Sequence, residues 1–155
     1  MKKNIILAAV AALTLSACSM SKPSPSDKAA AVDHPPAITA QDLQHHRYEL
    51  ISVDGEAVNS AQPRPGPTIE FGEKMHVSGG MCNRFMGQGE LQNSVLTVKQ
   101  LASTMMLCND KQLNKWDQLI GEVLANGAKV TLQNNQLTLT QGKHQLVYQT
   151  KDLVN

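Results

Sequence analysis

The chain has 155 residues, 41% of them hydrophobic and 17% charged, a length and balance that suit one globular domain with its own core. Its 14 basic and 13 acidic residues leave a net charge of +1, without the basic excess that binding a phosphate backbone demands, so nucleic acid is excluded as a partner. Aromatic residues make up only 3%, which argues equally against a base-stacking or sugar-stacking platform.

The chain opens with Lys2 and Lys3, an apolar run from Ile5 to Leu15, and Leu15-Ser16-Ala17-Cys18. Positive residues, a short apolar run and small residues before a cysteine follow the order of a secretory signal. The run is well short of the roughly 20 residues that a membrane-spanning helix needs. Leu-Ser-Ala-Cys resembles the bacterial lipobox, and that resemblance implies cleavage after residue 17, with Cys18 diacylated on sulfur and acylated again on its new amino group, palmitate among the expected chains. Several acyl chains at about 0.8 kcal/mol per buried methylene anchor a protein effectively for good. Ser19, where an Asp would favour retention, implies by the same resemblance the periplasmic face of the outer membrane. Loss of residues 1–17 takes the net charge from +1 to −1 with Lys2 and Lys3.

Residues 18–41 hold the lipidated Cys18 and then a stretch rich in Pro, Ser and Ala, including Pro35-Pro36, with too little large apolar surface to offset the entropy of ordering. They read as a flexible tether, with His34 solvated. The domain is expected over 42–155.

Tyr48, Leu50 and the opposite set Ile51 and Val53 predict a first strand, and Asp54-Gly55 a tight turn into Ala57-Val58. Pro63, Pro65, Gly66 and Pro67 predict a surface loop over Ser60–Pro67. Thr68–Phe71 and Lys74–Ser78 predict short strands joined at Gly72-Glu73, with Ile69, Phe71, Met75 and Val77 facing inward. Val77–Gly89 then packs four glycines around Cys82-Asn83-Arg84-Phe85, and these glycines are read as permitting positive φ and close strand approach. They match neither the P-loop nor the dinucleotide fingerprint. Phe85–Leu91 and Val95–Leu101 predict a hairpin across Asn93-Ser94 with Leu96 and Val98 inside.

Asn109 or Asp110 can cap a helix whose Leu113, Trp116, Leu119, Ile120, Val123 and Leu124 recur at helical spacing, and Asn126-Gly127 ends it. Lys111, Lys115, Gln118 and Glu122 fall on the solvent side. Three alternating strands follow, Ala128–Leu132, Gln136–Thr140 and His144–Thr150, with turns at Asn134-Asn135 and Gly142, and Asp152–Asn155 as a tail. The fold class is therefore mainly β (α+β), a small antiparallel β-meander or barrel-like sheet with one packed α-helix.

Once Cys18 is assigned to lipid, Cys82 and Cys108 form an even pair, and in an exported chain that parity favours a disulfide. Two readings stand beside it. The cysteines could be buried thiols packed as small hydrophobes. Alternatively Met75, Met81, Met86, Met105 and Met106, with His76 and the two thiolates, could form a Cu(I) site, since soft sulfur ligands suit that ion. His45-His46 is a poor chelating pair in an extended strand and reads as surface. The sequence has no GxSxG or HExxH, and no paired carboxylates in apolar surroundings, so it is read as non-enzymatic with no cofactor and no resident metal.

Gly79, Cys82-Asn83-Arg84-Phe85, Gly87 and then Thr104-x-Met106-x-Cys108 resemble the two signature segments of the META domain family. The similarity extends through Gln44-His45-His46-Arg47 and Phe71-Gly72-Glu73-Lys74-Met75, covering roughly Asp42 to the C-terminus. The chain departs from the family where Arg47-Tyr48 replaces a common Trp and where Met81, not Gly, precedes the cysteine. The resemblance implies a small β-rich domain linked to heat or envelope stress and drug tolerance, with no catalytic residues to carry over. The expected partners are the membrane, through the N-terminal lipid, and an unidentified envelope protein or small molecule; the chain is expected to be a monomer.

Overall fold

The computed structural model describes residues 37–58 and 66–153. The signal, Cys18, His34 and most of the proline-rich loop lie outside the described residues.

Among the described residues the domain has nine strands and two α-helices. In chain order they are α1 (Ala40–Leu43), β1 (His46–Val53), β2 (Glu56–Ala57), β3 (Thr68–Phe71), β4 (His76–Gly80), β5 (Arg84–Gln92), β6 (Val95–Ser103), α2 (Lys111–Asn126), β7 (Ala128–Gln133), β8 (Gln136–Gln141) and β9 (His144–Leu153). From β3 to β9 each strand pairs antiparallel with the next, and β1 takes β3 on one edge and β9 on the other. The meander thereby closes into an eight-stranded barrel, with β2 folded back on the end of β1 through Ser52↔Ala57. Closure removes the two edges that an open sheet would expose.

The local chemistry matches that geometry. The turns at Asp54-Gly55, Asn93-Ser94 and Asn134-Asn135 all have positive φ at both central residues, which matches the right-handed twist of the strands they join. Ile69, Phe71, Val77, Leu96, Val98, Val130, Leu137, Leu139, Leu146 and Tyr148 fill the barrel interior. Tyr48 stands edge-on to Phe71 there, and burial first, with Asp42 second, pushes its hydroxyl pKa up to about 12.

Four details differ from the sequence reading. Val53 lies in the core with Tyr48 and Leu50 and not on the face of exposed Ile51, because a bulge between Leu50 and Ser52 resets the alternation. Lys74 and Met75 are not strand; they form a tight left-handed turn with φ of 52° and 60°, which sinks the Met75 side chain and is braced by Gln88 Nε2 donating to Lys74 O at 2.7 Å. The expected tether ends before Asp42, since Ile38 N donates to Ser94 Oγ and Thr39 caps α1 through Asp42 Oδ2, burying Leu43. Asp152 and Leu153 extend β9 because β1 lies alongside them, pairing Arg47↔Asp152 and His46↔Leu153.

The β1–β9 seam has its own fastening. Asp54 N donates to Gln145 O at 2.8 Å, Gln145 N donates to Asp54 Oδ1 at 2.8 Å, and His144 Nδ1 lies 2.8 Å from Asp54 Oδ2. The Gln145 amide first, and His144 second, hold the Asp54 carboxyl below its usual pKa. Opposite that seam, β6 and β7 share only Val95↔Lys129 and Leu96↔Ala128. Helix α2, which joins them in sequence, packs on β6 and β8 and closes this weak side. Asp110 caps it by accepting from Gln112 N and Leu113 N, Gly127 at φ 90° ends it, and Leu113, Trp116, Ile120, Val123 and Leu124 form its buried stripe.

Trp116 is 1% exposed, so Trp116→Ala should cost about 3–5 kcal/mol; its fluorescence should be blue-shifted, and an emission maximum like that of free tryptophan would contradict this packing. A carboxyl with a depressed folded pKa contributes stability above its unfolded pKa and loses it as pH falls through the folded value. Asp54→Asn should therefore be less stable than the parent at pH 7, and the gap in urea midpoint should close as pH drops below the ordinary carboxylate range.

Candidate functional site

The turn Met81-Cys82-Asn83 joins β4 to β5, and the glycines around it let backbones approach closely. A Cβ on Gly79 would lie 2.2 Å from Thr68 O and 2.6 Å from Phe85 Cζ; one on Gly87 would lie 2.6 Å from Val98 Cγ1; one on Gly89 would lie 2.7 Å from Met75 O. None of these three has positive φ, so close approach, and not left-handed backbone, is what they supply. Gly79 sits directly opposite Phe85 in the ladder, whose ring covers the missing side chain.

Asn83 is 5% exposed and is the buried polar residue of the described core. Its Nδ2 donates to Asp117 Oδ2 at 2.6 Å and to Met106 O at 3.0 Å, and its Oδ1 accepts from Thr104 Oγ1 at 2.8 Å and Met106 N at 2.7 Å. Its own N–H donates to Asp117 Oδ1 at 2.8 Å. One amide thus ties the β4–β5 turn to α2 and to the strap, residues 104–109, that leads from β6 into α2. Thr104 adds two bonds to Arg84: Arg84 N donates to Thr104 Oγ1, and Thr104 N to Arg84 O. A Cys82–Cys108 disulfide, with Cα atoms 5.8 Å apart, fixes the far end of the strap. Asn114 holds the same end by accepting from Cys108 N and donating to Cys108 O.

A strap anchored at Thr104, Met106 and Cys108 turns its apolar side chains outward: Met105 is 97% exposed, Met106 62% and Leu107 91%. Hydrophobic collapse is prevented here by polar anchoring of the backbone. The Cu(I) reading loses ligands in this arrangement, since the two sulfurs bond each other and offer no thiolate, while Met75 and Met81 are buried in the core. Among the described residues no group of three or more His, Cys, Asp and Glu converges on a metal-sized site. His45 is exposed, and His46 Nδ1 lies 2.8 Å from Gln44 O.

Beside the turn lies a cleft of about 640 Å³ on the outer face of β1, β3, β4 and β5. Its floor and walls follow from register, with Thr68↔Gly80↔Arg84 in one row and Arg47↔Glu70↔Ser78↔Met86 in the next. Arg47 Nε donates to Glu70 Oε1 at 2.6 Å, and Glu70 holds that guanidinium above its usual pKa. Of the motif residues, Gly79, Asn83, Arg84, Phe85, Thr104 and Met106 therefore gather around one turn, while Gly87 lies further along β5 against Val98. Asp117 and Asn114 complete it without any sequence signal, because each reads as one more polar residue on a helix.

Comparison with known proteins bears on this arrangement. The META domain family model matches residues 41–153. Heat shock protein HslJ of Escherichia coli (strain K12) is 51% identical over 119 residues, covering 77% of this chain and 84% of that protein. A protein structure solved by NMR, 51% identical, superimposes with a TM-score of 0.68 over 76% of this chain and 99% of its own. An NMR structure of a protein from Burkholderia xenovorans, at 23% identity, shares the fold with a TM-score of 0.61 over 84% of this chain and 99% of its own.

Asn83→Ala would remove the side-chain hydrogen bonds to Met106 N, Met106 O, Thr104 Oγ1 and Asp117 Oδ2, at about 0.5–1.5 kcal/mol for each part-buried bond lost, so a total loss of about 2–4 kcal/mol is expected. Reduction should cost about 3.5 kcal/mol for a closed loop of about 27 residues. Urea midpoints of parent and variant, each oxidised and reduced, with a non-reducing peptide map, measure both; free thiols at Cys82 and Cys108 in the folded protein would overturn the second expectation.

Proposed function

The chain belongs to the META domain family, and from that premise we propose that it is a non-enzymatic envelope lipoprotein, held by acyl chains on Cys18 at the periplasmic face of the outer membrane. Its barrel binds an envelope component under heat stress and contributes to drug tolerance.

The observation that carries this reading is the strap. Three consecutive large apolar side chains held in solvent by a disulfide and a buried amide form a rigid contact surface, of the sort that marks an interaction site more than a fold requirement. Methionine suits such a surface because its unbranched, polarizable side chain adapts to different partners. Support for location comes from the sequence. Lys2-Lys3, the apolar run and Leu15-Ser16-Ala17-Cys18 supply export and lipidation in the correct order. A disulfide in the domain fits an oxidising compartment.

In cells fed labelled palmitate, the parent should take up label and sediment with outer-membrane density. Cys18→Ala should lose the label and appear in the soluble periplasmic or unprocessed pool. Unchanged labelling of Cys18→Ala would sink the anchoring.

A further inference from the structure

We infer that the outer-face cleft beside Arg84 binds an amphipathic organic acid, a single anionic group on an apolar body; this names a ligand class for the binding role proposed above and rests on it.

The first support is Gly80. A Cβ there would meet only Asn83 O, at 3.6 Å, and its φ is not left-handed, so neither packing nor backbone conformation calls for glycine. Its neighbour Gly79, facing inward, could not carry a side chain at all. What the missing side chain at position 80 does is keep the cleft floor open, together with the short Thr68 and Ser78 on either side.

The second support is the pattern of charge on the walls. On one wall Arg47 is paired with Glu70, and Glu49 beyond it with Lys151 at 3.2 Å. Arg84, on the other wall, has no ion pair among the described residues, yet its main chain is fixed by Thr104 at both N–H and C=O. A free guanidinium on a rigid base is suited to a carboxylate or phosphate, which it can grip through two parallel hydrogen bonds. Met86, one row along the same strand and 52% exposed, offers a thioether surface for an apolar body.

The opposite wall limits the ligand. Among the described residues its charges pair off, Arg47 with Glu70 and Lys151 with Glu49, so a second anionic group beside them gains nothing, while a neutral body can lie across the short floor. Three strand spacings of about 4.8 Å separate β5 from β1, so a body on the order of 10 Å long fits between the walls.

The test uses the protein isolated from cells, labelled with ¹⁵N and with ¹³C in the methionine methyls, and titrated with 4-phenylbutyrate. Phenyl phosphate is the second anion, 4-phenylbutanol the neutral match, and phosphatidylglycerol vesicles the lipid source of the same chemistry. Saturable shifts should appear at Ser78, Gly80 and the Met86 methyl, with phenylbutanol weaker by about tenfold or more. Arg84→Gln should weaken the two anions by a similar factor and leave phenylbutanol unchanged. Gly80→Leu, at a site with room in the fold, should keep a dispersed spectrum and abolish binding. Equal affinity for acid and alcohol, indifference to Arg84→Gln, shifts confined to Met105–Leu107, or a response to vesicles alone would each overturn the inference. The palmitate experiment on Cys18 is independent of these readouts, so loss of the anchoring reading and loss of the cleft are told apart.

Discussion

Everything in this domain depends on β1 having two neighbours. With β3 on one edge and β9 on the other, the first and last strands of the domain lie side by side. Asp54 locks them with its own amide, its carboxylate and the hydrogen bonds of Gln145 and His144. Were that seam open, Tyr48, Leu50, Leu146 and Tyr148 would line exposed edges instead of a core in which each is at most 2% exposed. Edge strands with such side chains invite aggregation, and closure is the direct remedy.

Closure also explains where the polar work is concentrated. A small barrel must bring inner faces close together, and β5 meets this with Gly87 and Gly89 where its neighbours carry Val98, Val77 and Leu96. Next to these glycines the chain must turn, pass into β6 and then lead out to α2 without a sheet partner to satisfy it. Asn83 supplies the missing hydrogen bonds, its amide serving the turn, the strap and the helix together. Because every polar group of that amide is used, the network is rigid as well as satisfied.

The rigidity has two outward consequences. One is the strap, whose Met105 and Leu107 cannot fold back while Met106 and Cys108 are held from beneath. The other is Arg84, whose position at the cleft is set by Thr104. Both surfaces are built from the same turn, since Asn83 holds the strap and Arg84 follows it at the cleft. The signature residues thus build a rigid scaffold more than they offer chemistry of their own.

Alternation and turn residues determined the strands, the hairpins at Asp54-Gly55, Asn93-Ser94 and Asn134-Asn135, and the buried stripe of α2, because period and positive φ are local properties. The segments that hold Asn83, Thr104 and Cys108 were legible as special through their glycine density, their paired cysteines and their resemblance to the family signatures. What they hold was not. Asp117, 34 residues from Asn83, and Asn114 are polar residues on a helix until the fold sets that helix against the turn. The face of Val53, the strand expected at Lys74-Met75 and the tail expected at Asp152 were misread because a bulge, a left-handed turn and a partner strand each act through hydrogen bonds that a sequence pattern does not contain. The meeting of β1 with β9, and the cleft floored by Gly80, were decided only in three dimensions, since both depend on which distant strands share an edge.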